Sequence, residues 1–347
     1  MGAPTLDAFL ASHDSAGRGS DVTDTIRALA GAALKVGNAI RFGTLGCAFS
    51  ETLGKTNSDG DVQRGLDVFA NETFLHAMRS VPIAYIASEE LDEPVVLDSR
   101  ARLAVAIDPL DGSSNIDSNV SIGTIFSLLP ATGGPDVEPA GVFFQPGHRQ
   151  LAAGFFVYGP QLAFVLTLGS GTHAFIFSPR LGAFVQAHES LSILPRTQEF
   201  AINASNYRHW DEAVRLYVDD CLKGSQGPRE KDFNTRWIAS LVAEAYRILM
   251  RGGVFLYPGD GRPGYGDGRL RLVYEANPIA MLIEQAGGAA TDTVNRILDI
   301  EPTGLHQRVP LVFGASKEVN RIGRYHTEPS MIADRSPLFG NRGLFRA

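Results

Sequence analysis

Carboxylates gather at a few turns of this 347-residue chain. Ser88-Glu89-Glu90 ends one apolar run. Asp108-Pro109-Leu110-Asp111-Gly112-Ser113-Ser114-Asn115 ends another. Asp61 and Asp67 flank the start of a predicted helix, and Glu275 follows a predicted strand in the second half. Pro109 fixes a turn, and Gly112 lets the backbone approach a ligand. Asp108 and Asp111 can then aim at one point, with the N–H groups of Gly112, Ser113 and Ser114 facing an anion if a helix begins there. Carboxylates beside an anion repel it. At about 4 Å each like-charge pair costs on the order of 4 kcal/mol at an effective dielectric of 20. Such a site works only with cations between the charges. Oxygen-only donors with no nearby Cys or His favour Mg²⁺ or Mn²⁺ over zinc. Taken singly, each piece has a plainer reading: Asp61 as a helix cap, Asp67 as an exposed helix residue, Glu89-Glu90 as a solvated pair, Asp108–Gly112 as a simple turn. The chemical reading rests on the set.

The elements that must position these groups follow from periodicity. Val22 to about Ile40 predicts a helix with Ile26, Leu29, Ala33, Gly37 and Ile40 near one face. Residues 43–60 are polar and Gly/Ser/Thr/Asn-rich, which predicts a lid-like loop. A helix follows, capped by Asp61, with Val62, Leu66, Phe69 and Ala77 inward. Val81–Ala87 and Leu103–Ile107 read as strands that end at acidic residues, and Phe126–Leu129 and Gly141–Phe144 extend the sheet. Gln150–Pro179 has no Asp, Glu, Lys or Arg, but Gly159-Pro160 and Gly169-Ser170-Gly171 break it into three buried strands rather than a membrane span. In the second half, Phe200–Ala204 predicts a strand and Asp211–Val218 and Arg236–Met250 predict helices. Val254–Tyr257 and Leu270–Tyr274 predict strands. Asn277-Pro278 predicts a helix start with Asn as cap, and Gly287-Gly288 its end. The change of pattern places a boundary near residues 190–200: an N-terminal domain over 1–192, a C-terminal one over 193–335 and a tail over 336–347.

Composition narrows the function classes. Hydrophobic residues at 44% and charged residues at 20% exclude a disordered chain. A net charge of −7 argues against a nucleic-acid partner. Met1–Ser20 lacks an apolar core, so it is not read as a secretory signal. Two cysteines, Cys47 and Cys221, fit a reducing cytoplasm.

At these residues the sequence resembles the class I fructose-1,6-bisphosphatases, within the lithium-sensitive, Mg²⁺-dependent sugar-phosphatase superfamily. The resemblance runs from about residue 22 to about 325. It is carried by Gly60-Asp61 with Leu66-Asp67-Val68, Ser88-Glu89-Glu90, Asp108 through Asp117, and Val120 through Phe126. Gln145-Pro146-Gly147, Phe255-Leu256-Tyr257-Pro258, Leu270 through Glu275, Asn277-Pro278 and His306-Gln307-Arg308 separate it from the inositol monophosphatases. It implies an α+β fold, a layered α-β-α-β-α sandwich, and a homotetramer. It implies two or three Mg²⁺ per site (Mn²⁺ as substitute) on Glu89, Asp108, Asp111, Glu275 and the Leu110 carbonyl. It implies Glu90, Asp67 and Asp61 as the water-activating and loop carboxylates. Asp111, Gly112, Ser113 and Ser114 would surround the 1-phosphate. Asn203, Tyr207, Tyr257 and Arg269 would hold the sugar and its 6-phosphate, with Arg236 reaching a neighbouring subunit's site.

Some positions depart from the family. Arg269 stands where a lysine is usual, which changes the geometry of the charge. Trp237 replaces an aromatic hydroxyl and reads equally well as packing. Arg102-Leu103 and Pro130 stand where AMP-regulated relatives carry a basic-aromatic pair and an arginine, so AMP inhibition does not follow. The cysteine-bearing insertion of the light-regulated enzymes is missing, which argues against a thiol switch. The expected activity is hydrolysis of fructose 1,6-bisphosphate in gluconeogenesis or the Calvin cycle, by a cytoplasmic enzyme that binds no nucleic acid or membrane. Sedoheptulose 1,7-bisphosphate or an inositol phosphate is the alternative substrate, and a non-catalytic sugar-phosphate sensor the alternative class.

Overall fold

A computed structural model describes residues 2–15, 19–42, 65–131 and 138–328. The predicted lid over 43–60, Asp61, Cys47 and the 336–347 tail lie outside the described residues. In chain order the first half comprises α1 (Leu6–Ser15), α2 (Ser20–Phe42), α3 (Gly65–Met78), β1 (Ile83–Ser88), β2 (Val95–Val96), β3 (Leu103–Asp111), β4 (Ile122–Pro130), β5 (Ala152–Tyr158), β6 (Leu162–Thr167), β7 (Thr172–Ser178) and β8 (Ala183–His188). The second half comprises β9 (Glu199–Ala201), α4 (Glu212–Leu222), β10 (Asn234–Thr235), α5 (Leu241–Arg251), β11 (Val254–Tyr257), β12 (Leu270–Arg271), α6 (Asn277–Gln285), β13 (Ala289–Thr291), β14 (Arg308–Val309), β15 (Leu311–Gly314) and α7 (Ser316–Thr327).

Strands β1 to β8 form one sheet in the order β2-β1-β3-β4-β5-β6-β7-β8. It is antiparallel except where β1 meets β3. A second sheet has the order β10-β9-β11-β15-β13, and β12 pairs with β14 alone. Side chains alternate across a strand, and that alternation builds the layers. On β5, Ala152, Phe156 and Tyr158 face one cluster with Leu10 of α1, Ile26, Leu29 and Ala33 of α2, and Ala70, Phe74 and Met78 of α3. Ala153, Phe155 and Val157 face the other way, toward Val242 and Ile248 of α5 and Ile279 and Leu282 of α6. Phe255 of β11 and Phe313 of β15 close that cluster from the second sheet. Val254, Leu256 and Val312 point outward to Val214 and Tyr217 of α4 and Ile322 and Tyr325 of α7. The result is a five-layer α-β-α-β-α sandwich of the α+β class.

Four local expectations are corrected. Residues 141–144 form no strand: Pro139–Phe143 is a 3₁₀ turn that buries Val142 and Phe143. The Gln145 amide clamps it, donating to the carbonyls of Val142 at 2.7 Å and Pro130 at 2.9 Å. The helix expected from Arg236 begins at Leu241, where the Ser240 hydroxyl accepts from the Ala243 N–H. Arg236 instead continues the line of β10, donating its N–H to the Phe200 carbonyl at 2.8 Å. The strand expected over 270–274 stops at Arg271, and Leu272–Ala276 is a π-helical turn that runs straight into α6. Asn277 therefore lies inside helical backbone rather than capping it. It is buried against Gly147, where a Cβ would meet the Asn277 Oδ1 at 2.5 Å.

Candidate active site

The end of β3 carries Asp108 and Asp111. Asp108 pairs with Ile125 and Asp111 with Gly123, so one extra residue sits on β3 between these pairs. That bulge re-aims both carboxylates toward one mouth, as bulges near active sites do. The Thr124 hydroxyl holds it by donating to the Pro109 carbonyl at 2.8 Å, and lies 2.8 Å from the Tyr158 hydroxyl. The Leu110 N–H donates to Asp108 Oδ1 at 3.1 Å.

Three other elements reach the same mouth. Glu89 follows β1, its N–H bonded to the Ile107 carbonyl at 2.9 Å, which extends the β1–β3 ladder. Ser88 donates to Asn71 Oδ1 at 2.8 Å and so ties β1 to α3, which carries the buried Asp67. Glu275 comes from the π-helical turn, a feature that often marks functional sites. Its Oε2 accepts the Arg271 N–H at 2.5 Å. Carboxylate oxygens of Asp108, Asp111 and Glu275 lie within 4.8 Å of one another. Asp111 Oδ2 also accepts the Val242 N–H at 3.1 Å, from the first turn of α5.

Electrostatics mark this group as short of positive charge. Burial, then the charges of Glu90 and Glu275, push the Glu89 carboxyl up to about 9. Burial and Glu275 push Asp111 up to about 7, against the Val242 N–H. Asp108 is raised well above the usual carboxylate range by burial and by Glu89, Asp111 and Glu275. Glu275 is raised by burial, with Arg271 pulling the other way. Arg271 Nη2 lies 2.6 Å from Glu89 Oε1 and supplies part of the compensation. These donors are oxygen-only, convergent and buried, the set a hard divalent cation takes.

The carboxylates floor a cavity of about 1730 Å³. Asp67, Glu89, Glu90, Asp108, Leu110 and Asp111 line it together with Gly112, Ser113, Ser114 and Glu275. Gly112 has φ +79, and a 3₁₀ helix over Ser113–Ser118 starts just after it, as the anion-turn reading requires. Farther along the cavity are Asn203, Tyr257 and Arg269. Trp237 joins them, its ring stacked on Phe255 at 5.8 Å and 8°. It is thus both a packing residue and a wall of the cavity.

Two predicted residues lie elsewhere. Tyr207 is exposed, and its hydroxyl donates to Asp219 at 3.0 and 3.1 Å, away from the cavity. Arg236 leans on Glu199, with Nε at 3.7 Å from Oε1, and does not line the cavity of its own chain. Sequence reasoning passed over Arg271. Its signal was its place four residues before Glu275, but a strand reading hides the bond from its N–H to the Glu275 carboxylate.

Comparison with known proteins agrees with the fold. Residues 5–189 match the family described as Fructose-1-6-bisphosphatase, N-terminal domain, and residues 193–327 match Fructose-1-6-bisphosphatase, C-terminal domain. The chain belongs to the class 1 fructose-1,6-bisphosphatase family. It is 64% identical over 349 residues to the "Fructose-1,6-bisphosphatase class 1" of Rhizobium meliloti (strain 1021), with 100% of each chain covered. It is 52% identical over 342 residues to the protein of that name from Methylorubrum extorquens (strain PA1), covering 99% of this chain and 97% of the relative. Among solved structures, Leishmania major fructose-1,6-bisphosphatase in holo form superposes with a TM-score of 0.86 at 31% identity, over 94% of this chain and 99% of that one.

Proposed function

We propose that this chain hydrolyses D-fructose 1,6-bisphosphate to D-fructose 6-phosphate and inorganic phosphate. The observation that carries the reading is the convergence of Asp108, Asp111 and Glu275 from two halves of the chain, all buried, on one point of a large cavity. A site of this kind repels a phosphate until cations occupy it. Glu89, Asp108, Asp111, Glu275 and the Leu110 carbonyl would hold two or three Mg²⁺, or Mn²⁺ in their place. Bound Mg²⁺ would neutralise phosphoryl charge and acidify water, the roles that make such ions effective in phosphoryl transfer. Glu90 and Asp67 orient the attacking water and accept its proton. Water adds to phosphorus, the bond from phosphorus to the sugar oxygen breaks, and that oxygen leaves with a proton. The Gly112, Ser113 and Ser114 N–H groups and Asp111 surround the 1-phosphate, and Mg²⁺ held by Asp111 would offset that carboxylate's repulsion of it. Asn203, Tyr257 and Arg269 receive the sugar and the 6-phosphate, and the Arg269 fork grips a phosphate in two places where a lysine would grip as a point charge. Arg236 acts, in this reading, on a neighbouring copy in a homotetramer. Asp61 belongs to the same set by resemblance and lies outside the described residues.

The domain division follows the same reading, with 1–192 carrying the acidic motifs, 193–335 holding the sugar phosphate, and 336–347 as a tail. No helix among the described residues is long and apolar enough to cross a membrane, and we assign the enzyme to the cytoplasm. A sensor would need no surplus of buried carboxylate, which argues against the non-catalytic alternative. Phosphate release from fructose 1,6-bisphosphate, sedoheptulose 1,7-bisphosphate and an inositol monophosphate, each with Mg²⁺, tests the assignment. The fructose ester should give the highest kcat/KM. Preference for the inositol ester would overturn the substrate, and binding without phosphate release would overturn the activity.

A further inference from the structure

A second, smaller pocket of about 190 Å³ opens on the far side of the C-terminal half, between the first turns of α7 and the loop before β10. That is roughly six times the ≈30 Å³ share of one water in the liquid. Arg196, Arg229, Lys231, Lys317 and Arg321 line it, against one carboxylate, Glu318. That carboxylate is already engaged. Arg229 Nη2 grips both of its oxygens, at 2.6 and 2.7 Å, and the Tyr217 hydroxyl donates to it at 3.3 Å.

The wall of this pocket is built rather than incidental. The Arg229 side chain is 2% exposed, and its guanidinium lies 4.5 Å from the Phe233 ring centroid. Lys231 is fixed by a bond to the Thr197 carbonyl at 3.1 Å and lies 4.9 Å from the same ring. Arg321 supplies the observation that points to a ligand: its Nε is buried, and among the described residues it has no hydrogen-bond partner. Buried donors are nearly always satisfied, so one left open in a cationic pocket marks a place for an acceptor. Repulsion among the cations would be relieved by the same acceptor.

We propose that this pocket is an anion site, separate from the acidic cavity, and that it takes a tetrahedral dianion: inorganic phosphate or the phosphate group of a small phosphomonoester. Arginine forks match phosphate oxygens two at a time, and a pocket of about 190 Å³ is of a size for one such group. The site lies on α7, which packs on β13 and β15, and β15 pairs with β11, the strand that ends at Tyr257 in the acidic cavity.

Calorimetric titration of the full chain tests this, with inorganic phosphate and glycerol 3-phosphate as probes. Three proteins are compared: wild type, a Lys317→Gln/Arg321→Gln variant and an Arg269→Gln variant. The wild type should bind the probe in two classes. The double variant should lose one class, weakened about tenfold or more, while keeping its probe-free melting temperature and its kcat. Arg269→Gln should lose the other class. Tighter binding of glycerol 3-phosphate at the α7 pocket assigns it to a phosphomonoester, and tighter binding of inorganic phosphate assigns it to the free ion. Identical isotherms for wild type and double variant, or a single class abolished by Arg269→Gln, would overturn the proposal.

Discussion

Arg229 and Glu318 are buried side by side, with side chains 2% and 4% exposed, each facing an opposite charge, and Lys231 stands 3.6 Å from the same carboxylate. Glu89, Asp108, Asp111 and Glu275 are buried as thoroughly, yet they are mainly each other's neighbours. The first arrangement closes its own electrostatic account: burial alone would drive charge off Arg229, and Glu318 holds it on, raising the guanidinium above its ordinary range. The second arrangement leaves its account open, and every one of the four carboxyls is raised. A closed pair is a structural element. An open cluster is paid for by the rest of the fold and is completed only by something from outside the chain.

The contrast can be broken by mutation. Glu90→Gln should lower kcat by about 10²–10⁴-fold, the range for loss of a positioned base, with KM changed little. Steady-state phosphate release measures it, and an unaltered kcat removes Glu90 from the mechanism. Glu318→Ala leaves the Arg229 guanidinium buried without its carboxylate, which should cost roughly 3–5 kcal/mol of stability. Urea unfolding reads that loss, and a change below about 1 kcal/mol would show that the pair is not the structural element described.

The open cluster also predicts a pH dependence of definite sign. A carboxyl whose pKa is higher in the folded than in the unfolded protein binds more protons when folded, so stability falls as pH rises between the two values. With Asp111 raised from 3.8 to about 7 and Glu89 from 4.5 to about 9, the metal-free protein should lose stability from about pH 3.8 up to about pH 9. Saturating Mg²⁺ should flatten that slope. Melting temperatures taken with chelator and with Mg²⁺ decide it, and two parallel curves would contradict the open-cluster reading.

The smallest effect belongs to His326 and Asp211, 3.1 Å apart on α7 and at the start of α4. His326 is raised by Asp211 and by the Ile322 carbonyl, against burial. Asp211 is lowered by His326 and by the Val214 N–H, against burial. The histidine's contribution is complete below its unfolded value of about 6.5 and disappears as pH climbs through the raised folded value. The aspartate's contribution disappears as pH falls through its lowered value. Since Asp211 is half exposed, His326→Ala should cost only about 1 kcal/mol or less at pH 6, and less still at pH 9. Equal costs at both pH values would remove the ion pair from the account.

The sequence made the acidic turns legible because their residue types are chemically narrow: Asp-Pro-Leu-Asp-Gly has few purposes once other carboxylates end nearby strands. Strong local signals carried over well. Val254–Tyr257 is β11, and the charge-free stretch around residues 150–179 is three strands. What failed depended on tertiary partners. Nothing local distinguishes Leu272–Ala276 as a π-helical turn from a strand, because Val273 and Tyr274 of the turn pack against Ala84 and Ala106 of the large sheet, and Asn277, next in the chain, docks against Gly147. The apolar spacing from Arg236 onward ignores Ser240, whose cap starts α5 five residues late. Asp67 read as an exposed helix residue when taken alone, yet it is buried toward the cluster. The edge strand β8 alternates only over Ala183–Gln186, and all of its residues but Phe184 and Gln186 are exposed or partly so at the sheet margin.

The most direct measurement is phosphate release from fructose 1,6-bisphosphate by protein stripped with chelator and then titrated with Mg²⁺. The account predicts no turnover in the stripped protein and full recovery on adding Mg²⁺, with recovery abolished by Asp108→Asn. Full turnover without any divalent cation would contradict it.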